Sequence, residues 1–133
     1  MSNLRVIRLS PNGDDVQGLS DWENIPAHRV LAGDEAKVRR HKFFVGDRSG
    51  GQVRVGVSEA TAYSEKIDNY PKDEFMHVIE GSVTIVHDDG WEETFVAGDS
   101  FFMPSGFTGV WKQTGTIKKY FMVFDGSGDR QRR

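Results

Sequence analysis

Apolar residues come in short runs along this chain, each ended by glycine, proline or an acidic turn. Val53, Val55 and Val57 alternate with Arg54, Gly56 and Ser58, a period of two that predicts a strand with one buried face. Glu74 to Val86 reads as two strands joined around Gly81. Asp88-Asp89-Gly90 follows, an Asp-Gly pair that supplies the positive φ of a tight hairpin. Trp91 to Val96, Ser100 to Met103, Thr108 to Gln113 and Ile117 to Phe124 predict further strands, with breaks at Ala97-Gly98-Asp99 and Pro104-Ser105-Gly106. The last of them is apolar on both faces in its second half, which predicts an inner or sheet-covered strand. Lys37 to Val45 and the alternating Leu4 to Leu9 are two more candidates, with a polar loop over Ser10 to Asn24 between them. No i, i+3, i+4, i+7 pattern is sustained anywhere. The expected fold is all-β, a sandwich or a small antiparallel jelly-roll barrel.

Length bounds this picture to one domain, since the chain has 133 residues. Residues 1–36 read as an N-terminal extension packing on the barrel or on a partner subunit, 37–125 as the barrel, and 126–133 as a frayed tail. Lys and Arg number 17 against 20 Asp and Glu, a net charge of −3, and the basic residues are scattered. Neither a nucleic-acid stripe nor a membrane span is therefore expected. Cysteine is absent, which excludes disulfides, thiolate zinc sites, iron–sulfur clusters and a cysteine nucleophile. Met1-Ser2-Asn3-Leu4-Arg5 does not open like a signal peptide, so a cytoplasmic protein is expected.

Two motifs choose among the β folds. Glu74, six residues and Gly81 reproduce the second half of the first cupin motif, and Gly98, five residues, Pro104, one residue and Gly106 reproduce the core of the second. Their order, with a hairpin between them, resembles a cupin. A longer string is similar to the ureidoglycine aminohydrolase-like cupins: Gly56-Val57-Ser58-Glu59-Ala60-Thr61, Asp73-Glu74-Phe75, Pro104-Ser105-Gly106-Phe107-Thr108-Gly109-Val110-Trp111 and Ile117-Lys118-Lys119-Tyr120. The resemblance implies a jelly-roll barrel with an N-terminal strand extension that adds to a partner's sheet, and hence a homodimer.

In metal-binding cupins three histidines and a glutamate face the barrel interior. The corresponding positions here hold Asp68 and Tyr70, or Ile67 and Asn69 in the longer register, then Glu74, and finally Gly109. His28, His41, His77 and His87 fall at none of them. One glutamate does not make a transition-metal site, so no cofactor is expected, and the manganese chemistry of the related bicupin enzyme does not carry over.

Glu74 is the candidate acid/base, and Lys119, on the face of Ile117, Phe121 and Val123, can extend inward to Glu74 or Glu59 or snorkel at an edge. Asp68, Tyr70, Glu59, Met76, Phe102 and Trp111 are expected to line the ligand site. Trp111 shares the face of Gly109, so its indole takes the space of an imidazole and its metal. Three readings follow. The first is a metal-independent cupin that binds a small polar metabolite and isomerises or hydrolyses it. The second is a non-catalytic ligand-sensing or protein-interaction cupin with its pocket filled by Trp111 and Phe102. The third is a metalloenzyme with oxygen ligands from Asp68, Tyr70 or Glu59.

Overall fold

A computed structural model describes residues 4–33 and 35–126. Its strands are β1 (Glu23–Asn24), β2 (Val30–Ala32), β3 (Lys37–Arg48), β4 (Gly51–Ala60), β5 (Tyr63–Ile67), β6 (Asp73–Glu80), β7 (Ser82–His87), β8 (Glu92–Val96), β9 (Ser100–Met103), β10 (Gly109–Gln113) and β11 (Ile117–Asp125). Among the described residues the one helical element is a single 3-10 turn, Ala27–Arg29. Among the described residues no helix is long and apolar enough to cross a membrane.

The strands form two antiparallel sheets, ordered β1-β3-β4-β11-β6-β9 and β2-β5-β10-β7-β8. This is the jelly-roll arrangement of an all-β chain. Met76, Val78, Phe121 and Val123 of the larger sheet meet Ile67, Val83, Ile85 and Trp111 of the smaller one. Phe95 and Phe101 stack at 4.2 Å and complete the apolar part of the interior beside Trp111. Gly81 closes the β6–β7 connection at φ +83, and a Cβ there would stand 2.2 Å from the Thr116 carbonyl oxygen. The glycine of the first motif is thus required by both dihedral and space.

Several expectations need correction. Leu4 to Leu9 is not a strand: it is irregular and largely exposed, with Val6 102% accessible. The segment is tied down by Asp14 against His41 (3.2 Å) and by the Tyr120 hydroxyl donating to the Leu9 carbonyl (3.4 Å). β1, β2 and β5 went unread. The Val53/Val55/Val57 face does not look into the interior; Arg54, Ser58 and Ala60 do, bordering a cavity between the sheets. β11 is inner in the ladder, between β4 and β6, as expected, but only the first half of its outer face is covered, at Lys118 and Tyr120, leaving Met122 and Phe124 exposed. Of the expected tail, Gly126 is buried and 127–133 lie outside the described residues.

Candidate functional site

The cavity, of about 400 Å³, is bordered by β3, β4, β6 and β11 of one sheet and β5 and β10 of the other. Glu74 projects into it from β6 and is 6% exposed. Its Oε1 accepts a hydrogen bond from the Tyr70 hydroxyl, and its Oε2 lies 3.3 Å from the Lys119 ammonium. Burial alone would push this carboxyl up, but Lys119, the Tyr70 hydroxyl and the nearby Lys72 outweigh it and hold Glu74 below the usual carboxylate range. Glu74 is therefore ionised at neutral pH. Tyr70 is pushed the other way, by burial first and by the Glu74 charge second, so its phenol stays protonated and donates.

The second sequence motif explains how Tyr70 is placed. Its amide donates to the Phe107 carbonyl and its carbonyl accepts from the Gly106 amide, both at 2.8 Å. Next to these, the Ser105 amide donates to Asp73 Oδ1 at 2.8 Å and the Asn69 amide to Thr108 Oγ1 at 3.0 Å. The Pro104-Ser105-Gly106 turn thus clamps the β5–β6 loop and aims the phenol at Glu74. Lys119 arrives from β11, two strand positions before Phe121, and its ammonium also stands 5.5 Å from the Trp111 ring.

A second trio sits across the cavity, Tyr63 and Glu65 on β5 and Arg29 in the 3-10 turn before β2. Arg29 makes a bidentate pair with Glu65, Nε to Oε2 and Nη2 to Oε1 both at 2.9 Å, and the Tyr63 hydroxyl donates to Glu65 Oε1 at 3.2 Å. Burial, then the Glu65 charge, raises the Tyr63 phenol. Trp111, 7% exposed, forms a wall rather than a plug, since the cavity remains open beside it. Its indole N–H donates to Gln113 Oε1 at 2.8 Å, while Gln113 Nε2 donates to the carbonyls of Ala60, Thr61 and Gly115 at 3.1, 3.2 and 2.9 Å. The indole orientation is thereby set by a saturated buried amide.

Of the residues singled out from sequence, Glu74, Lys119, Tyr70, Met76 and Trp111 come together at the cavity. Three do not. Asp68 is exposed and does not border it. Glu59 lies on the face of β4 opposite Ser58, held by Arg39 at 2.6 Å. Phe102 is 57% exposed on the outer face of β9, because the inward positions of that short strand are Phe101 and Met103. Sequence reading missed Arg29, Glu65, Tyr63, Gln113, Arg40, Arg54 and Lys72. The signal that could have found them is a polar face in strict alternation: Arg40 and Lys42, Arg54 and Ser58, Tyr63 and Glu65.

The donor set does not fit the metal of the wider fold family. Among the described residues no three His, Cys, Asp or Glu side chains are grouped to hold an ion. Both Glu74 oxygens are already engaged by Tyr70 and Lys119. At the last ligand position a Cβ on Gly109 would lie 2.3 Å from the Val86 carbonyl oxygen and 2.6 Å from the Phe107 ring, so no imidazole could stand there.

Comparison with known proteins agrees with the fold. Residues 48–121 match the family model described as the EutQ-like cupin domain, more than half of the chain. The chain belongs to this cupin family. Among solved structures, this EutQ-like cupin is similar to a Pseudomonas syringae pv. tomato protein of unknown function in the DUF861 family. The identity is 23% and the TM-score 0.72, covering 86% of this chain and 46% of that one. It thus spans about half the length of that protein. It also resembles the Clostridium difficile EutQ protein, with 18% identity, TM-score 0.58, and 78% and 81% coverage of the two chains. The putative ethanolamine utilization protein Q of Salmonella typhimurium is similar at 17% identity and TM-score 0.55, with 80% and 95% coverage. At these identities the likeness concerns the fold. No curated protein matches the chain.

Proposed function

We propose that this cupin binds a small polar metabolite in the cavity without a metal, and that Glu74 acts on it as proton acceptor in an isomerisation or hydrolysis. One observation carries the reading: a buried, ionised carboxylate at the wall of an open cavity, with a phenol and an ammonium fixed to its two oxygens. A carboxylate held in this way is a base and not an acid. Tyr70 and Lys119 return or share the proton, and Trp111 offers a flat apolar wall for the ligand body. Within the cupins we place the chain with the small ureidoglycine aminohydrolase-like proteins, on the motif string rather than on their chemistry.

A second reading is a non-catalytic, ligand-sensing domain. It is favoured by the saturation of both Glu74 oxygens, which is equally the state of a structural ion pair. Melting-temperature shifts with a panel of small polar metabolites, followed by turnover assays on those that shift it, separate the two. Under the enzyme reading Glu74→Gln abolishes turnover and keeps the melting shift. Turnover that survives the substitution removes Glu74 from the chemistry, and binding without turnover in the unaltered protein assigns it to sensing. A stoichiometric manganese, iron or zinc in protein purified without added metal would overturn both.

We further propose a homodimer. Phe102, Phe75 and Met122 are consecutive cross-strand neighbours on the outer face of the larger sheet and are all exposed, a contiguous apolar row of the kind that a partner covers.

A further inference from the structure

The cavity carries a charge at odds with the chain. The whole protein is acidic, yet six cationic side chains border the cavity (Arg29, Arg40, Lys42, Arg54, Lys72 and Lys119) against the carboxylates of Glu65 and Glu74. Arg29 is matched by Glu65, Lys119 by Glu74, and Arg54 by Asp125 at 3.2 Å. Arg40, Lys42 and Lys72 make no close ion pair among the described residues, although the Glu74 and Asp125 carboxylates lie within electrostatic reach of Lys72.

Strand register brings these charges together. On the inner face of the larger sheet Arg40 stands opposite Ser58, and Ser58 opposite Lys119. Lys42 follows one inward position along β3, and Arg54 stands opposite Val123, which stands opposite Glu74. Lys72 enters from the β5–β6 loop, its ammonium 5.8 Å from the Tyr70 ring. Burial first, with the Arg54 and Lys119 charges behind it, makes its ammonium easier to deprotonate than an ordinary lysine, against the opposing pull of the Glu74 and Asp125 carboxylates. Like charges gathered on neighbouring strands around one cavity, with Arg40, Arg54 and Lys72 half-buried and Lys42 exposed, oppose folding. Such an arrangement is balanced by an anion that enters it.

We infer that the ligand of this cavity is a small organic acid with two or more negative charges, its anionic groups taken by Arg40, Lys42 and Lys72 while its body lies between Trp111 and Glu74. This rests on the cavity being the ligand site, as proposed above, and names the class of ligand. The Ser58 hydroxyl, between Arg40 and Lys119, is placed to donate to the same groups. Glu74 sits among these cations, with both of its oxygens engaged by Lys119 and Tyr70. It would repel a carboxylate placed against it, which leaves it facing the part of the ligand that carries no charge.

Calorimetric titration of the full chain at low ionic strength tests this. The probes are malonate, succinate, glutarate and citrate, with malonamide, succinamide and glutaramide as uncharged counterparts. At least one polycarboxylate should bind and the amides should not, with affinity falling as potassium chloride is raised. Arg40→Gln and Lys72→Met should each weaken that binding about tenfold. Melting curves of each variant confirm folding. If the amides bind as tightly as the acids, with a change in tryptophan emission abolished by Trp111→Leu, the anion class is wrong and the cavity reading stands. If no probe binds, the ligand class fails, while the metabolite-panel melting shifts still decide the cavity reading. If an acid binds but Arg40→Gln and Lys72→Met bind it equally well, the anion site lies elsewhere and the inference is overturned.

Discussion

Glu74 shows how one buried carboxylate is kept charged. Desolvation works against ionisation, and the Lys119 ammonium with the Tyr70 hydroxyl works for it. Because the folded-state pKa lies below the ordinary 4.5, the ionised form stabilises the fold at neutral pH. That stability is present above the unfolded-state value and is lost as pH falls through the lower folded-state value. Glu74→Gln leaves Lys119 buried without its counterion, at a cost of about 3 kcal/mol at pH 7. Urea melts should show this gap constant down to roughly pH 5 and closing below pH 4.5. Tyr70→Phe removes one hydrogen bond to a charged acceptor and should cost about 2 kcal/mol. Lys72 has the opposite sign. Its folded-state pKa lies below the ordinary 10.5, so its protonated form is disfavoured by folding at neutral pH. Lys72→Met is therefore expected to raise the melting temperature at pH 7, with the gain shrinking as pH approaches 10.5. A stability loss at pH 7 would show that Lys72 is already balanced within the free protein.

At the level of the elements, the motif residues serve placement. The Pro104-Ser105-Gly106 turn holds the β5–β6 loop through paired backbone hydrogen bonds, and Tyr70 reaches Glu74 because of it. Gly109 lets β10 pass beneath the Phe107 ring and against Val86. Gly109→Ala should cost about 1–3 kcal/mol by denaturant melting, through overpacking of a site with no slack. The strands that sequence reading found, β4, β6 to β11 and most of β3, are those with an apolar face or a glycine turn at their ends. It missed β5, whose Tyr-Ser-Glu-Lys-Ile run turns Tyr63 and Glu65 inward. The same inversion explains β4, where the valines face away from the cavity, with Val57 fully buried on that other face, and Arg54 and Ser58 face the cavity. Alternation reveals which residues share a face. The rule that the apolar face is the inner one holds for a packed core and fails beside a polar cavity.

For the molecule as a whole, two surfaces stand out: the cationic cavity between the sheets and the exposed row Phe102, Phe75 and Met122 outside them. Phe75→Lys, at a side chain already 43% exposed, should leave the fold intact and shift sedimentation from dimer to monomer. A monomer in the unaltered protein would exclude the dimer. The all-β class, the two cupin motifs and the strand punctuation were all legible in the order of residues, because hairpin turns and alternation are local properties; the face of Lys119 was legible too, but not whether it meets Glu74 or Glu59. Local order also located Tyr70 and Trp111, through their distance from Glu74 and Gly109. The exclusion of Asp68, Glu59 and Phe102 from the site, and the entry of Arg29, Glu65, Arg40 and Lys72 into it, depended on register between strands far apart in the chain. Only the tertiary structure decides which face of each strand meets the cavity, and so only it brings scattered cations of an acidic chain to a single site.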